Sequence, residues 1–111
     1  MASYSRIEEV SAERCNVKSG AAGWGFTMWS PKLDDEAPHR SLLEQFSAAY
    51  PEAGIKLPRY DRYEDYVDAT AGWNGGAVSI YYETTLSYIS LWSPDRDIVE
   101  SFRAALLLPV A

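Results

Sequence analysis

Cysteine and histidine are nearly absent from this chain of 111 residues, which contains one of each, Cys15 and His39. A single cysteine excludes a disulfide within the chain. One cysteine and one histidine are too few for a zinc site with four protein ligands of the usual kind. The acidic run at residues 34–36 lacks the spacing and the central glycine of a calcium-binding loop. We therefore expect no metal and no cofactor.

Sequence motifs for common kinds of catalysis are also missing. The chain has neither a Walker phosphate-binding loop nor the glycine motif of dinucleotide-binding domains. Cys15 and Ser41 are conceivable nucleophile partners for His39, but Ser41 lies two residues along the same predicted helix and points elsewhere. Acid pairs such as Asp65 and Asp68 resemble ordinary loop carboxylates. We predict that the protein is not an enzyme and that His39 is a buried or capping residue at a helix start.

Long apolar runs do not occur. The longest, residues 104–111, contains Pro109 and is far shorter than the roughly 20 residues that a membrane-spanning helix needs. The first residues lead into Glu8 and Glu9 without the apolar stretch of a signal peptide. A single cysteine fits a reducing compartment. We expect a cytoplasmic protein that does not contact membranes.

Basic residues are outnumbered, with 10 Lys and Arg against 16 Asp and Glu, which gives a net charge of −6. Such a surface repels nucleic-acid phosphates, so we expect no direct binding to DNA or RNA. It attracts basic partners and accelerates encounters with them. The alternative is that the acidity only maintains solubility. Aromatic residues are abundant, and Tyr and Trp anchor interfaces as well as cores.

Apolar residues recur with helical spacing at residues 42–50 and 98–106, which predicts two amphipathic helices. The first is predicted to begin near residue 37 or 38. Asp35 or Glu36 would cap it, and it would end before Pro51.

A short sequence repeat precedes both helices. Residues 26–31 (FTMWSP) are echoed by residues 89–94 (ISLWSP). In the second copy, Ser93 is the predicted helix cap and Pro94 the first helical residue. The repeat predicts an internal duplication of a strand-Trp-Ser-Pro-helix unit.

Strand patterns occupy most of the remaining chain. Asn74-Gly75-Gly76 is a hairpin signal, and Thr84-Thr85 marks a second turn. The segments around these turns should form an antiparallel meander. Residues 4–18 fit either two short strands, at residues 5–10 and 14–18, or the start of a short helix. We predict a single α+β domain, residues 1–111, whose antiparallel sheet has two helices packed on one face. The predicted strands are residues 24–29, 66–73, 77–83 and 86–92.

The sheet face away from the helices is predicted from the alternation of side chains along each strand. A solvated face normally carries Thr, Lys, Glu and Arg, whereas this one combines aromatic rings with carboxylates. Rings anchor a partner, and carboxylates bind Arg or Lys. In the alternative, the N-terminal segment covers this face, or Trp29 and Trp92 pack under the helix starts as core residues. The predicted partner-binding residues of this face are Trp29, Tyr66, Asp68, Tyr81, Glu83, Tyr88 and Trp92.

Residues 59–68 (RYDRYEDYVD) follow Pro58 and lead into the predicted strand at residues 66–73. They alternate tyrosine with acidic residues. This pattern predicts an exposed, extended loop beside the aromatic face. It adds five candidate partner-binding residues, which are Tyr60, Asp61, Tyr63, Glu64 and Asp65.

The second half of the chain resembles bacterial toxin-immunity proteins, the small acidic inhibitors of polymorphic and contact-dependent toxins. The resemblance lies in size, acidity, the absence of catalytic groups and strands rich in Tyr and Trp. It implies a one-to-one inhibitor that blocks a secreted toxin, often a nuclease, inside the producing cell. It implies no shared binding residues. The segments that carry the resemblance are residues 63–68, 73–76, 81–83 and 88–93.

Three functions other than that of an immunity protein against a basic toxin are also consistent with the sequence. A phage-encoded inhibitor of a host defence complex, such as an anti-CRISPR protein, would use carboxylates to mimic phosphates in a basic groove. A self-assembling module would close a homodimer around Trp29 or Trp92. A small-ligand binder would have tyrosines lining a pocket between sheet and helices. The expected state is a monomer or a homodimer.

Overall fold

The computed structural model describes residues 4–12, 22–32, 37–59 and 65–107. Five strands form one antiparallel sheet in the order β1-β2-β5-β4-β3. With two helices beside this sheet, the protein has the predicted α+β fold. In chain order the elements are β1 (Arg6–Ile7), β2 (Trp24–Trp29), α1 (Ala37–Ala49), a 3-10 turn (Pro51–Ala53), β3 (Tyr66–Trp73), β4 (Gly76–Glu83), β5 (Tyr88–Ser93) and α2 (Arg96–Leu107).

The predicted meander is confirmed, because β3, β4 and β5 are hydrogen-bonded neighbours. Asn74 and Gly75 alone form the turn between β3 and β4, with φ angles of 51° and 82°. A two-residue turn with both φ angles positive matches the twist of the strands that it joins. Gly76 is therefore the first residue of β4, opposite Trp73, rather than part of the turn.

β5 begins at Tyr88, two residues later than predicted. Glu83 explains the difference, because its carboxylate accepts hydrogen bonds from the backbone N–H groups of Thr85 (3.0 Å) and Leu86 (3.1 Å). Ser87 completes the turn with a φ of 53°. The apolar Leu86, predicted as a strand residue, is thus an exposed turn residue.

The buried cluster joins both helices to the sheet. The ring of Phe46 on α1 lies 4.8 Å from Phe102 on α2 and 5.5 Å from Trp73 on β3. Burial alternates along β4 and β5, as the predicted period of two requires. The most deeply buried members are Phe26, Met28, Leu43, Val67, Ala71, Val78, Ile80, Tyr82, Ile89, Leu91, Val99 and Phe102.

The start of α2 differs from the prediction. The helix begins at Arg96, and Asp95 caps it by accepting a hydrogen bond from the backbone N–H of Asp97 at 2.9 Å. Ser93, the predicted cap, accepts a hydrogen bond from the backbone N–H of Asp95 at 3.4 Å, and Pro94 lies outside the helix. Asp95, rather than Ser93, caps α2 because it lies one residue before the first helical residue. At that position a carboxylate reaches the free N–H groups of the first turn.

α1 begins at residue 37 and ends before Pro51, as predicted. Its predicted caps, Asp35 and Glu36, lie outside the described residues. His39, in the first turn, is fully buried.

Within residues 4–12, the N-terminal segment forms the two-residue strand β1, with Arg6 opposite Trp29. An isolated bridge between Ser11 and Gly25 follows it. The second predicted strand of this segment, residues 14–18, lies outside the described residues, as does Cys15. Along the described stretches, no helix has the length and apolarity to cross a membrane.

The two copies of the sequence repeat lie next to each other in the sheet. β2 and β5 pair so that Thr27 is opposite Ser90, its counterpart in the repeat, and their hydroxyls are 2.8 Å apart. This pairing relates the two strands by a local two-fold axis. The duplication of the whole unit stays a prediction.

Candidate functional site

The sheet face opposite the buried cluster, called the open face, brings together the predicted residues of four strands. One cross-strand row runs from Tyr66 on β3 to Glu83 on β4, then to Tyr88 on β5 and Trp29 on β2. Arg6 on β1 continues the row. The next row contains Asp68, Tyr81, Ser90 and Thr27. The strand register thus unites residues that lie far apart in sequence.

Four aromatic rings on the open face form a continuous chain, which we call the aromatic strip. Trp29 lies 4.9 Å from Tyr88, Tyr88 lies 6.1 Å from Tyr81, and Tyr81 lies 5.6 Å from Tyr66. The planes of Tyr66 and Tyr81 differ by only 28°, so these two rings stack. The strip ends at Tyr66, which is 55% exposed on the edge strand. Mutual contact holds the rings in place.

The tyrosine hydroxyls in the middle of the strip remain protonated far above neutral pH. Burial is the main cause that raises the pKa of Tyr81 to about 12, and Tyr88, Glu83 and Asp68 raise it further. Burial and Glu83 also raise the pKa of Tyr88. The hydrogen bond between the two hydroxyls raises the pKa of Tyr81 and lowers that of Tyr88, as expected if Tyr81 donates. The strip therefore presents neutral hydroxyl groups.

The charged residues from β3 to β5 are all negative. Residues 65–93, which span β3 to β5, contain no Lys, Arg or His, and their acids are Asp65, Asp68 and Glu83. Asp65 is exposed as predicted, whereas Asp68 is partly buried rather than exposed. Glu83 holds the β4–β5 turn with both carboxylate oxygens, so its first role is structural. The absence of basic residues from this long segment is visible in the sequence and is a signal that the sequence analysis missed.

Trp92 lies on the open face but at its other end. It is opposite Gly25 on β2 and Ser79 on β4, two residues along β5 from Ser90. A Cβ at Gly23 would overlap the Trp92 ring, so the indole covers the chain there. Of the two predicted tryptophans, Trp29 therefore joins the strip, and Trp92 packs against glycine backbone.

Four of the predicted loop residues, Tyr60, Asp61, Tyr63 and Glu64, lie outside the described residues. Asp65 and Tyr66, which directly follow them, are both exposed. The sequence analysis also missed Arg6, whose position opposite Trp29 places a cation at the β1 end of the face.

Two other features of the structure, at His39 and beside α1, do not resemble binding or catalytic sites. His39 forms hydrogen bonds with the hydroxyls of Tyr4 (3.0 Å) and Ser87 (3.1 Å). Because His39 and Ser87 are both fully buried, a substrate cannot reach this serine. A groove of about 340 Å³ beside α1 has no tyrosine among its lining residues and is not the predicted tyrosine pocket. Among the described residues, no group of three or more His, Cys, Asp or Glu is placed to hold a metal ion. The groove is lined by Arg40, Glu44, Ser47, Ala48, Ile55 and Leu57.

Comparison with known proteins gives no assignment. No protein-family model, no curated protein and no solved structure matches the chain. Function is therefore inferred from the geometry and charge of the open face.

Proposed function

We propose that this protein is an acidic inhibitor that binds one basic protein, and that it acts as an immunity protein against a cognate toxin. The observation that carries the proposal is the aromatic strip, which lies beside carboxylates and crosses four strands, β2 to β5, none of which contains a basic residue. The resemblance to toxin-immunity proteins in size and acidity supports the same class.

The strip has the dimensions of the centre of a protein interface. Its rings span three strand spacings, which is roughly 14 Å at about 4.8 Å per strand. Large aromatic side chains near the centre of an interface often contribute most of the binding energy. Because the rings of Tyr66, Tyr81, Tyr88 and Trp29 already contact one another, little side-chain freedom is left to lose on binding.

The charge distribution supports a basic partner. A net charge of −6 steers basic proteins toward the molecule at long range. Asp65, directly before Tyr66 at the exposed end of the strip, is itself exposed and can pair with Arg or Lys of the partner. The tyrosine hydroxyls add neutral hydrogen-bonding groups that suit the guanidinium and amide donors of a protein surface.

The first experiment is capture of the partner with the tagged protein from bacterial lysate, followed by binding measurements on the purified pair. We expect a basic protein that binds with a stoichiometry of one and more weakly at high salt. The double variant Asp65→Lys/Asp68→Lys should remain folded and lose affinity by about 100-fold or more. A toxin would identify an immunity protein, whereas a nucleic-acid-binding defence complex would identify the phage-inhibitor alternative.

The matched control is Glu44→Lys/Glu52→Lys, which alters net charge equally through exposed residues of α1 and the 3-10 turn. It should lose much less affinity. Equal losses in both variants would show that only net charge matters and that the open face is not the site. Unchanged affinity in the Asp65/Asp68 variant would remove this end of the strip from the interface.

A further inference from the structure

Among the described residues, β3 is an edge strand of the sheet. It terminates the sheet order, and each of its eight residues has one partner on β4, so no bulge interrupts it. Its sequence, YVDATAGW, contains no Lys, Arg or Pro. Bulges, lysines and prolines are the usual features that keep an edge strand from pairing with another chain. At the opposite edge, β1 has only two residues.

The hydrogen-bond register shows which backbone groups of β3 point outward. The backbone N–H of Thr84 donates to the carbonyl of Asp65 at 2.8 Å, which makes Asp65 and Thr84 a hydrogen-bonded pair. Such pairs alternate along an antiparallel ladder, so residues 67, 69, 71 and 73 bond to β4. Residues 66, 68, 70 and 72 direct their backbone N–H and C=O groups away from the sheet.

Among the described residues, the outward backbone groups of Tyr66 and Thr70 have no hydrogen-bond partner. The 3-10 turn comes close to β3 toward the end of the strand. There the carbonyl of Ala53 lies 3.8 Å from the position that a Cβ on Gly72 would take. Within the described residues, the backbone groups of Tyr66 and Thr70 are therefore those that another strand could pair with.

An added strand would extend the open face. The side chains of Tyr66, Asp68 and Thr70 lie on that face, so alternate side chains of a sixth strand would lie beside them and continue the aromatic strip. Since the acids of residues 65–93 have no basic residue among them, the matching side chains are Arg or Lys. A second copy of this chain fits less well, because it would bring another net charge of −6 and a second Asp68 to the same edge.

We infer that the β3 edge from Tyr66 to Thr70 receives an extended basic segment of the partner as a sixth strand of the sheet. This inference rests on the proposed function and specifies how the partner binds. Main-chain hydrogen bonds to Tyr66 and Thr70 hold the segment, and the acidic charge of residues 65–93 favours Arg or Lys at alternate positions.

The test uses a nine-residue peptide that alternates Thr and Arg, with binding followed by fluorescence anisotropy and by amide exchange in NMR spectra. We expect binding, and we expect exchange of the Thr70 amide to slow by roughly tenfold or more in the complex. A peptide with methylated amide nitrogens at alternate residues should bind about tenfold or more weakly, because it cannot donate those hydrogen bonds. A matching Thr-Glu peptide should not bind.

The variant Thr70→Pro tests the same bond from the protein side. Proline is tolerated where an edge-strand N–H points to solvent, so the β3–β4 ladder should survive while the outward donor is lost. We expect the affinity for the Thr-Arg peptide to fall about tenfold or more. Thr70→Ala keeps the N–H and should bind like the unmodified protein. If Thr70→Pro does not fold, the comparison of the methylated and unmethylated peptides on the unmodified protein still tests the inference.

Several outcomes would overturn the inference. Absence of Thr-Arg peptide binding, equal binding of the methylated peptide or an unprotected Thr70 amide would each exclude strand addition. A dimer in light scattering that Thr70→Pro abolishes would assign the edge to a second copy instead. If the Asp65→Lys/Asp68→Lys variant no longer binds the captured partner but the Thr70→Pro variant still binds it, the inference about the β3 edge fails while the proposed function stands.

Discussion

Replacing Phe102 with alanine should lower the free energy of unfolding by about 3–5 kcal/mol, the cost typical of a buried phenylalanine. Phe102 is 0% exposed, and its ring lies 4.8 Å from Phe46 and 5.4 Å from Trp73. Alanine would remove the contact among α2, α1 and the end of β3 at once. Because three elements enclose the resulting cavity, it cannot collapse easily, and the upper half of the range is expected.

This loss is a large part of the total stability. A domain of this length has a free energy of unfolding of about 5–15 kcal/mol. Urea unfolding followed by tryptophan fluorescence measures the change, and Trp73 reports directly on the cavity. The dependence of the free energy on urea concentration should stay the same, since the unfolded chain exposes nearly the same surface.

Leu86→Ala is the control, because Leu86 is 53% exposed in the β4–β5 turn. It should change the free energy of unfolding by less than about 0.5 kcal/mol. A loss below about 1 kcal/mol for Phe102→Ala would refute the assignment of this face of α2 to the core.

Two further substitutions test local structure. Gly75→Ala forces a side chain into a turn position with a φ of 82° and should cost about 1–2 kcal/mol in urea unfolding. Gly72→Ala, in the extended strand β3 with no atom closer than 3.8 Å to the new Cβ, should be neutral or stabilising, so equal costs would contradict the turn assignment. Because the pKa of Tyr81 is raised from 10.0 to about 12, its contribution to stability is present below pH 10 and is lost as the pH rises from 10 to 12. Tyr81→Phe should weaken this loss in unfolding measurements between pH 8 and pH 12; an unchanged profile would mean that Tyr81 ionises as readily in the folded protein as in the unfolded one.

Local sequence signals predicted much of the fold. The limits of β2 and β3 agree with the prediction, and Asn74-Gly75 marked the hairpin because few other residues adopt positive φ at low cost. The alternation of side chains with a period of two correctly placed Tyr66, Tyr81 and Tyr88 on one face. It succeeded because the residues that alternate with them along each strand are clearly apolar and therefore buried. The errors at β5 and α2 arose where a carboxylate bonds the backbone two or three residues away, at Glu83 and Asp95.

The candidate site was harder to predict, because it depends on which strands are neighbours. Trp29 and Trp92 occupy equivalent places in the sequence repeat, yet Tyr88 is opposite Trp29 and Gly25 is opposite Trp92. The pairing of Trp29 with Tyr88 extends the aromatic strip, whereas the pairing of Trp92 with Gly25 places the Trp92 indole against glycine backbone. The unpaired edge of β3 likewise became visible only with the sheet order.

The pairing of β2 with β5 has a consequence for the synthesis of the protein. Thr27 and Ser90 are 63 positions apart, so β2 leaves the ribosome long before its partner exists. β3, β4 and β5 are consecutive and can pair as each one emerges, whereas β2 must wait with Phe26 and Met28 exposed. Completion of the sheet is therefore tied to the last fifth of the chain, and the nascent protein passes through a stage in which the apolar side chains of β2 lack the strand that pairs with β2 in the finished sheet.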